Sequence, residues 1–375
     1  MTPRQVLVCI GTRPEAIKLF PVVLALRADP RFAVRVCATA QHRGMLDQVL
    51  RMAGITPDID LDLMRRGQSL GDITTGVLQG LGAVLRGAPA DWVVVQGDTT
   101  TAMAAALAAF QHGVPVAHVE AGLRSGDMTA PFPEEANRRI VTLLARLHFA
   151  PTARAQAALL AEGLPPAQVL LTGNTVVDAL LAGRDRLGGD PAATAALRAA
   201  LPPVADPRRI ILVTAHRREN LDRGIAGIAR ALHALAERGD CCIAFPVHPN
   251  PAVRAPVQAL LAGHRNIVLL PPLDYLPFIH LLDRCHLVLT DSGGVQEEAP
   301  SFGKPVLVLR EVTERPEAIE AGTARLVGTD PARILAETAR LLDDGVAYAA
   351  MARAHNPFGD GRAAARIRDA LAETS

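Results

Sequence analysis

LVLTDSGGVQEEAPSFGKPVLVLREVTERPE, residues 287–317, holds a strand, a turn, a helix and a second strand in one stretch. The apolar run 287–290 stops at Asp291-Ser292-Gly293-Gly294. An acidic helical segment follows, closed by Pro300 and Gly303, and 305–309 is apolar again. That order is a βα unit feeding the next strand of a sheet. A Ser-Gly-Gly turn opening a helix turns backbone N–H groups outward at the positive end of the dipole, and without Cβ atoms a phosphate comes close. An ordinary βα turn that needs glycine for its geometry explains the same residues, so the motif alone leaves both readings open.

The unit recurs along the chain. Residues 6–10, 34–39, 92–96, 115–119, 147–150 and 169–172 are short, continuous apolar runs, and 210–215, 242–247, 267–270, 286–290 and 305–309 form a second series. Runs without alternation are what strands buried on both faces of a parallel sheet require. Helical stretches such as 17–27, 45–52, 70–85 and 102–112 separate them, and a Pro/Ala-rich break lies near 200–208. The expected fold is α/β, with two doubly wound parallel-sheet, Rossmann-like domains facing a cleft. The boundaries read as 1–173 and 174–356, with the final segment 357–375, helical over 361–373, packing back on the first domain.

With 375 residues the chain is long enough for two domains of roughly 150–200 residues each. Its 39 basic and 38 acidic residues leave a net charge of +1, and aromatics are 3%. Neither a basic surplus nor stacking rings are present to recommend a nucleic-acid partner. The five cysteines form no C-x-x-C pair and mostly lie in apolar runs, so they read as core residues of a reducing compartment. Neither a signal-peptide pattern nor an apolar run of the ~18 residues that a membrane helix needs is present, and a cytoplasmic protein is expected.

Polar residues at the carboxyl ends of the strands are the candidates for chemistry. Strand one ends in Gly11-Thr12-Arg13-Pro14-Glu15-Ala16-Ile17-Lys18, which is neither G-x-G-x-x-G nor a Walker loop. Arg13 and Lys18 offer cations to a diphosphate, or belong to a solvated turn. Asp98, in Gly97-Asp98-Thr99, is an N-cap or a crevice acid. Glu120 ends a buried strand, where desolvation moves a carboxyl toward the range useful for proton transfer. Glu134 and Glu135 stand four residues before Arg138 and Arg139. They make either two surface ion pairs, or a carboxylate cluster with Asp98 and Glu120 in which like charges push apart to give an acid and a base. In the second half His216 precedes two arginines and His248 sits between prolines, with no spacing that suggests a metal. Phe278 offers an aromatic wall for a base, or is core.

Taken together these stretches closely resemble the bacterial non-hydrolysing UDP-N-acetylglucosamine 2-epimerases. The resemblance is carried by GTRPEAIK (11–18), TAQHR (39–43), GDTTT (97–101), HVEAGLRSGD (118–127), PFPEEANRR (131–139), TGNTVVDAL (172–180), AHRREN (215–220), DSGGVQEEAPSFGKPVL (291–307) and TERPEA (313–318). It implies the glycosyltransferase-B-type fold, a homodimer, UDP-N-acetylglucosamine and UDP as ligands, and no cofactor or metal. It implies Asp98, Glu120 and Glu134 as catalytic carboxylates, with His216 beside the diphosphate. Arg13, Lys18 and Arg138 would hold phosphate or sugar, Ser292, Gly293 and Gly294 the phosphates, Glu298 the ribose, Phe278 the uracil neighbourhood, and Arg315 sugar or phosphate. Some members bind a second UDP-sugar as activator near the positions of Gln41 and His42; Gly44 and Gly67 stand here where polar contacts are expected in those members. GDTTT argues for the reversible, UDP-retaining reaction, because hydrolysing epimerases carry a different segment there. A UDP-sugar glycosyltransferase of the same fold is the alternative, and domain closure is expected to be part of catalysis.

Overall fold

The computed structural model describes residues 2–39, 43–63, 65, 67–201, 208–221 and 224–374; of 43–45 and 218 it describes the backbone. The chain divides into two compact units, Met1–Ala179 with Phe358–Ser375, and Leu180–Pro357. Each is built on one parallel sheet flanked by helices.

The first unit's sheet has seven strands: β1 Arg4–Ile10, β2 Phe32–Ala38, β3 Ile59–Asp60, β4 Trp92–Gln96, β5 Val116–Val119, β6 Leu147–Ala150 and β7 Val169–Leu171, in the order 3-2-1-4-5-6-7. The second has six: β8 Arg209–Thr214, β9 Cys241–Pro246, β10 Ile267–Leu270, β11 Leu287–Thr290, β12 Val306–Val308 and β13 Ala324–Leu326, in the order 10-9-8-11-12-13. In each unit the chain starts mid-sheet, winds to one edge and returns to build the other, which is doubly wound topology. The winding reverses between β1 and β4 in one unit and between β8 and β11 in the other. The crevice at such a reversal, beyond the strands' carboxyl ends, is where open α/β sheets take ligands.

The strands are continuous apolar runs because helices cover both faces; Val6, Leu7, Val8 and Ile10 of β1 are wholly buried. Helix Thr100–Gln111 lies close to the sheet because its buried face is alanine, at 102, 104, 105, 106, 108 and 109. At Gly11 the approach is closer still: a Cβ there would come within 2.6 Å of Thr101. The last helix, Ala363–Glu373, packs against helix Arg13–Arg27, and Asp178 accepts the N–H groups of Ala363 and Ala364 at 3.2 and 2.9 Å. One carboxylate thus caps a helix that begins 185 residues later.

Two features depart from the sequence expectation. Helix Arg13–Arg27 begins four residues earlier than the expected 17, because Thr12 caps it and Pro14 fits a first turn whose N–H would go unused. Strands β3 and β13 were not anticipated; with two and three residues at the sheet edges they are too short to show an apolar run. All five cysteines are buried, and none of them forms a disulfide. Among the described residues no helix is long and apolar enough to cross a membrane.

Candidate active site

One strand beyond the reversal of the first unit, Glu120 follows directly on β5 with φ +63°. A left-handed backbone costs a residue with a Cβ about 1–3 kcal/mol and persists where the surroundings over-determine it. Here they do. The carboxylate is almost fully buried and accepts hydrogen bonds from the Lys18 ammonium, from the Gln96 amide and, at 3.2 Å, from the Asn174 amide. Lys18 comes from the helix after β1, Gln96 from the end of β4, and Asn174 from the segment after β7. Elements far apart in sequence therefore converge on one acid.

Asp98 lies in the turn after β4, where Arg138 donates to its carboxylate and the Asn137 side chain to its backbone carbonyl at 2.9 Å. Arg138 is held in turn by Glu135, whose fully buried carboxylate also accepts Ser125 N–H at 2.9 Å and Arg139 Nε at 3.0 Å. Burial raises the Glu135 carboxyl, but the Ser125 N–H and the two guanidiniums outweigh it and leave it below its ordinary range. Of the two ion pairs read from the spacing, only Glu135 with Arg139 forms. The half-buried Glu134 makes no side-chain hydrogen bond or ion pair among the described residues, and neither does Arg13. Lys18 and Arg138, expected to hold ligand, face Glu120 and Asp98.

Glu15 was not singled out in the sequence. It is buried, with its carboxylate accepting Gly11 N–H at 3.1 Å and the Thr99 hydroxyl at 2.7 Å, and so ties the turn after β1 to the turn after β4. Burial raises its carboxyl, with the Thr12, Thr99 and Gly11 hydrogen bonds opposing.

Beneath the site, His118 Nε2 donates to the Gly97 carbonyl at 2.8 Å, steadying the turn that carries Asp98. Burial pushes His118 down to about 3 and its register neighbour His148 down to about 4. Both are depressed below the ordinary 6.5, so the stability they contribute is fully present above pH 6.5 and is lost as pH falls toward 4 and 3. Denaturant titrations are expected to show stability falling by about 1.4 kcal/mol per pH unit for each histidine over that window. A flat profile from pH 6.5 to 5 would contradict this.

In the second unit the turn after β11 opens helix Gly293–Glu298 at Ser292, whose N–H is taken by the Thr290 hydroxyl at 2.9 Å. Arg217 and Arg315 both reach this turn: a Cβ on Gly293 would lie 3.7 Å from one guanidinium and 3.8 Å from the other. Arg315 is ion-paired with the buried Glu297, whereas Arg217 Nε is buried with no hydrogen-bond partner among the described residues. Asp291 is fully buried and accepts the N–H groups of His216 and Arg217, each at 2.8 Å. The His216 ring stacks on His248 with centroids 5.6 Å apart. Burial lowers His216 from its ordinary value; Asp291 opposes this and Arg217 and His248 add to it. Glu298 is buried on the short helix, Gly294 is exposed at its start, and Phe278 is half-buried on helix Tyr275–Arg284. Gln41 and His42 lie outside the described residues; Gly67 is described, with φ +77° and open space where a Cβ would stand.

The two units therefore offer opposite chemistry. One presents carboxylates braced by cations, which suits proton transfer and a developing positive charge. The other presents guanidiniums, an imidazole and a glycine-opened helix, which suits an anion. Away from both, His233, Glu237 and His264 cluster on the surface. His264 Nδ1 accepts Asn266 N–H at 3.2 Å, which leaves its Nε2 as the donor to Glu237 at 2.8 Å, so the cluster reads as a hydrogen-bonded pair.

Residues 24–372 match the family model described as UDP-N-acetylglucosamine 2-epimerase. The chain is 54% identical to a probable UDP-N-acetylglucosamine 2-epimerase of Ralstonia nicotianae and 52% identical to UDP-N-acetylglucosamine 2-epimerase of Escherichia coli, in each case across 98% of both chains. Among solved structures it is similar to UDP-GlcNAc 2-epimerase of Neisseria meningitidis bound to UDP-GlcNAc, with TM-score 0.91 and 46% identity over 99% of this chain and 100% of that one. It is also similar to the Methanocaldococcus jannaschii enzyme in complex with UDP-GlcNAc and UDP, with TM-score 0.80 and 32% identity over 99% of this chain and 100% of that one.

Proposed function

From its membership of the UDP-N-acetylglucosamine 2-epimerase family, to which the chain belongs, we propose that this protein interconverts UDP-N-acetylglucosamine and UDP-N-acetylmannosamine by eliminating UDP and adding it back. The observation that carries the mechanism is Glu120, a buried acid with a left-handed backbone whose carboxylate takes three N–H donors beside the sheet reversal. The C2 proton of the sugar is not next to a carbonyl, so removing it alone leaves a carbanion without a sink. Loss of the proton is therefore coupled to breaking the C1–O bond: the C–H pair becomes the C1=C2 bond of a 2-acetamidoglycal, and the C1–O pair leaves on UDP. Re-addition forms the C1–O bond and delivers a proton to C2 from the opposite face. Electrons balance within the substrate, and the reaction as written needs no redox cofactor.

Asp98, Glu120 and Glu134 serve as the acid, the base and the counter-charge to the cationic C1. Lys18 and Arg138 brace two of these acids and lend positive charge where the diphosphate departs, and Arg13 adds to it. His216, Ser292, Gly293, Gly294 and Arg315 receive the diphosphate, Glu298 the ribose and Phe278 the uracil. The enzyme works in the cytoplasm and supplies surface polysaccharide synthesis. Incubation with UDP-GlcNAc and no acceptor is expected to give a stable mixture of two UDP-sugars by NMR. Stoichiometric release of free UDP and sugar would sink the UDP-retaining reading.

We further propose a homodimer formed through the first unit. Phe110, Ile140 and Leu143 are exposed by 58, 38 and 84% on two helices, Thr100–Gln111 and Glu134–Leu144, that pack side by side. Light scattering should give twice the 39.6 kDa chain mass, and Phe110→Asp with Leu143→Asp should halve it. A wild-type monomer at micromolar concentration would refute the pairing.

A further inference from the structure

Asp291 stands across the second unit's sheet reversal from the end of β8, and its two oxygens are used unequally. Oδ2 accepts His216 N–H at 2.8 Å, Arg217 N–H at 2.8 Å and the Asn220 side chain at 3.0 Å. Oδ1 is buried with no hydrogen-bond donor among the described residues, and His216 Nδ1 lies 3.3 Å from it. A buried carboxylate oxygen left without a donor is costly, and a protonated Nδ1 facing it relieves that cost. We propose that Asp291 is a positioning residue that fixes His216 as its Nδ1–H tautomer and so makes Nε2 the atom offered to the ligand. Which ring nitrogen carries the proton is set by the hydrogen bond the other makes.

The consequence rests on the reading that His216 meets the diphosphate. A ring held by Asp291 at Nδ1 accepts a proton at Nε2 when an anion arrives and then donates from Nε2 to that anion, with Asp291 balancing the new charge. Burial first, and then Arg217 and the stacked His248, oppose protonation of the ring, and an arriving anion would offset them. The carboxylate also holds the Arg217 backbone, and so fixes the start of the segment that brings the guanidinium to Gly293.

The test is the tautomer itself, read by long-range ¹H–¹⁵N NMR of histidine-labelled protein at pH 8 without ligand, with His216 assigned among the 11 histidines by difference against His216→Gln. The expected spectrum has the proton on Nδ1; a wild-type spectrum with the proton on Nε2 overturns the proposal whether or not any variant folds. In Asp291→Asn the amide oxygen keeps the backbone donors while its NH₂ faces Nδ1, so the tautomer should invert. Turnover should then fall by about 10²-fold, as for loss of a general acid, with UDP affinity changing far less. An unchanged tautomer in folded Asp291→Asn would also overturn it. Because the spectrum needs no substrate, an Nδ1–H ring in a protein that does not epimerise would count against the functional reading alone.

Discussion

Glu120→Gln is expected to lower the rate of epimerisation by at least about 10³-fold while the protein stays folded and binds UDP as before. The substitution is nearly isosteric, but it places an amide where Lys18, Gln96 and Asn174 all present N–H donors. Only one oxygen remains to accept, and the carboxyl that the proposed mechanism uses for proton transfer at carbon is gone. On the proposed assignment, with Glu120 at the reacting atoms and the nucleotide on the second unit's residues, the loss should fall on kcat. Deuterium exchange at C2 should disappear together with turnover. Full turnover in a folded Glu120→Gln protein would show that the acid is structural and that its backbone strain has another cause.

Arg217→Ala is expected to give the opposite pattern. Its guanidinium has a buried Nε with no partner among the described residues and stands beside the helix opening at Gly293, which fits a cation waiting for an anion. A hydrogen bond to a charged group contributes about 1.5–3 kcal/mol, so removing it should weaken UDP binding by roughly 10–100-fold. Calorimetry would report this directly, with uridine as the control because it has no phosphate to lose. Arg315→Ala is the less clean variant: it strips the buried Glu297 of its ion pair and endangers the fold. UDP binding unchanged in Arg217→Ala would move the diphosphate elsewhere.

Much of this was legible in the chain, for identifiable reasons. Strands covered on both faces are continuous apolar runs, so 92–96, 147–150 and 267–270 read to the residue. The two-residue edge strand Ile59–Asp60 leaves no such signal. The burial of Glu120 at a strand end was legible because the acid directly ends an apolar run. Its collar was not, since Gln96 and Asn174 meet it only when β4, β5 and the segment after β7 lie side by side. Glu15 stood after strand one with no role assigned, because its bonds to Gly11 and Thr99 form only when the turns after β1 and β4 meet. Lys18 and Arg138 were read as cations of the site, but their bonds to Glu120 and Asp98 were not legible, because spacing gives a side chain's neighbourhood and not its direction. Asp291 stood in the motif without a role because its partners lie 71 to 75 residues earlier in the chain.

The central claim is that the C2 proton is lost to the protein while UDP departs and returns. Incubating the protein with UDP-GlcNAc in D₂O and following C2 by NMR tests it most directly. The account predicts solvent deuterium at C2 of the manno product and, with time, of the recovered gluco substrate, with UDP still attached to both. A manno product that retains its original hydrogen at C2, or a substrate left unchanged in the absence of an acceptor, would contradict it.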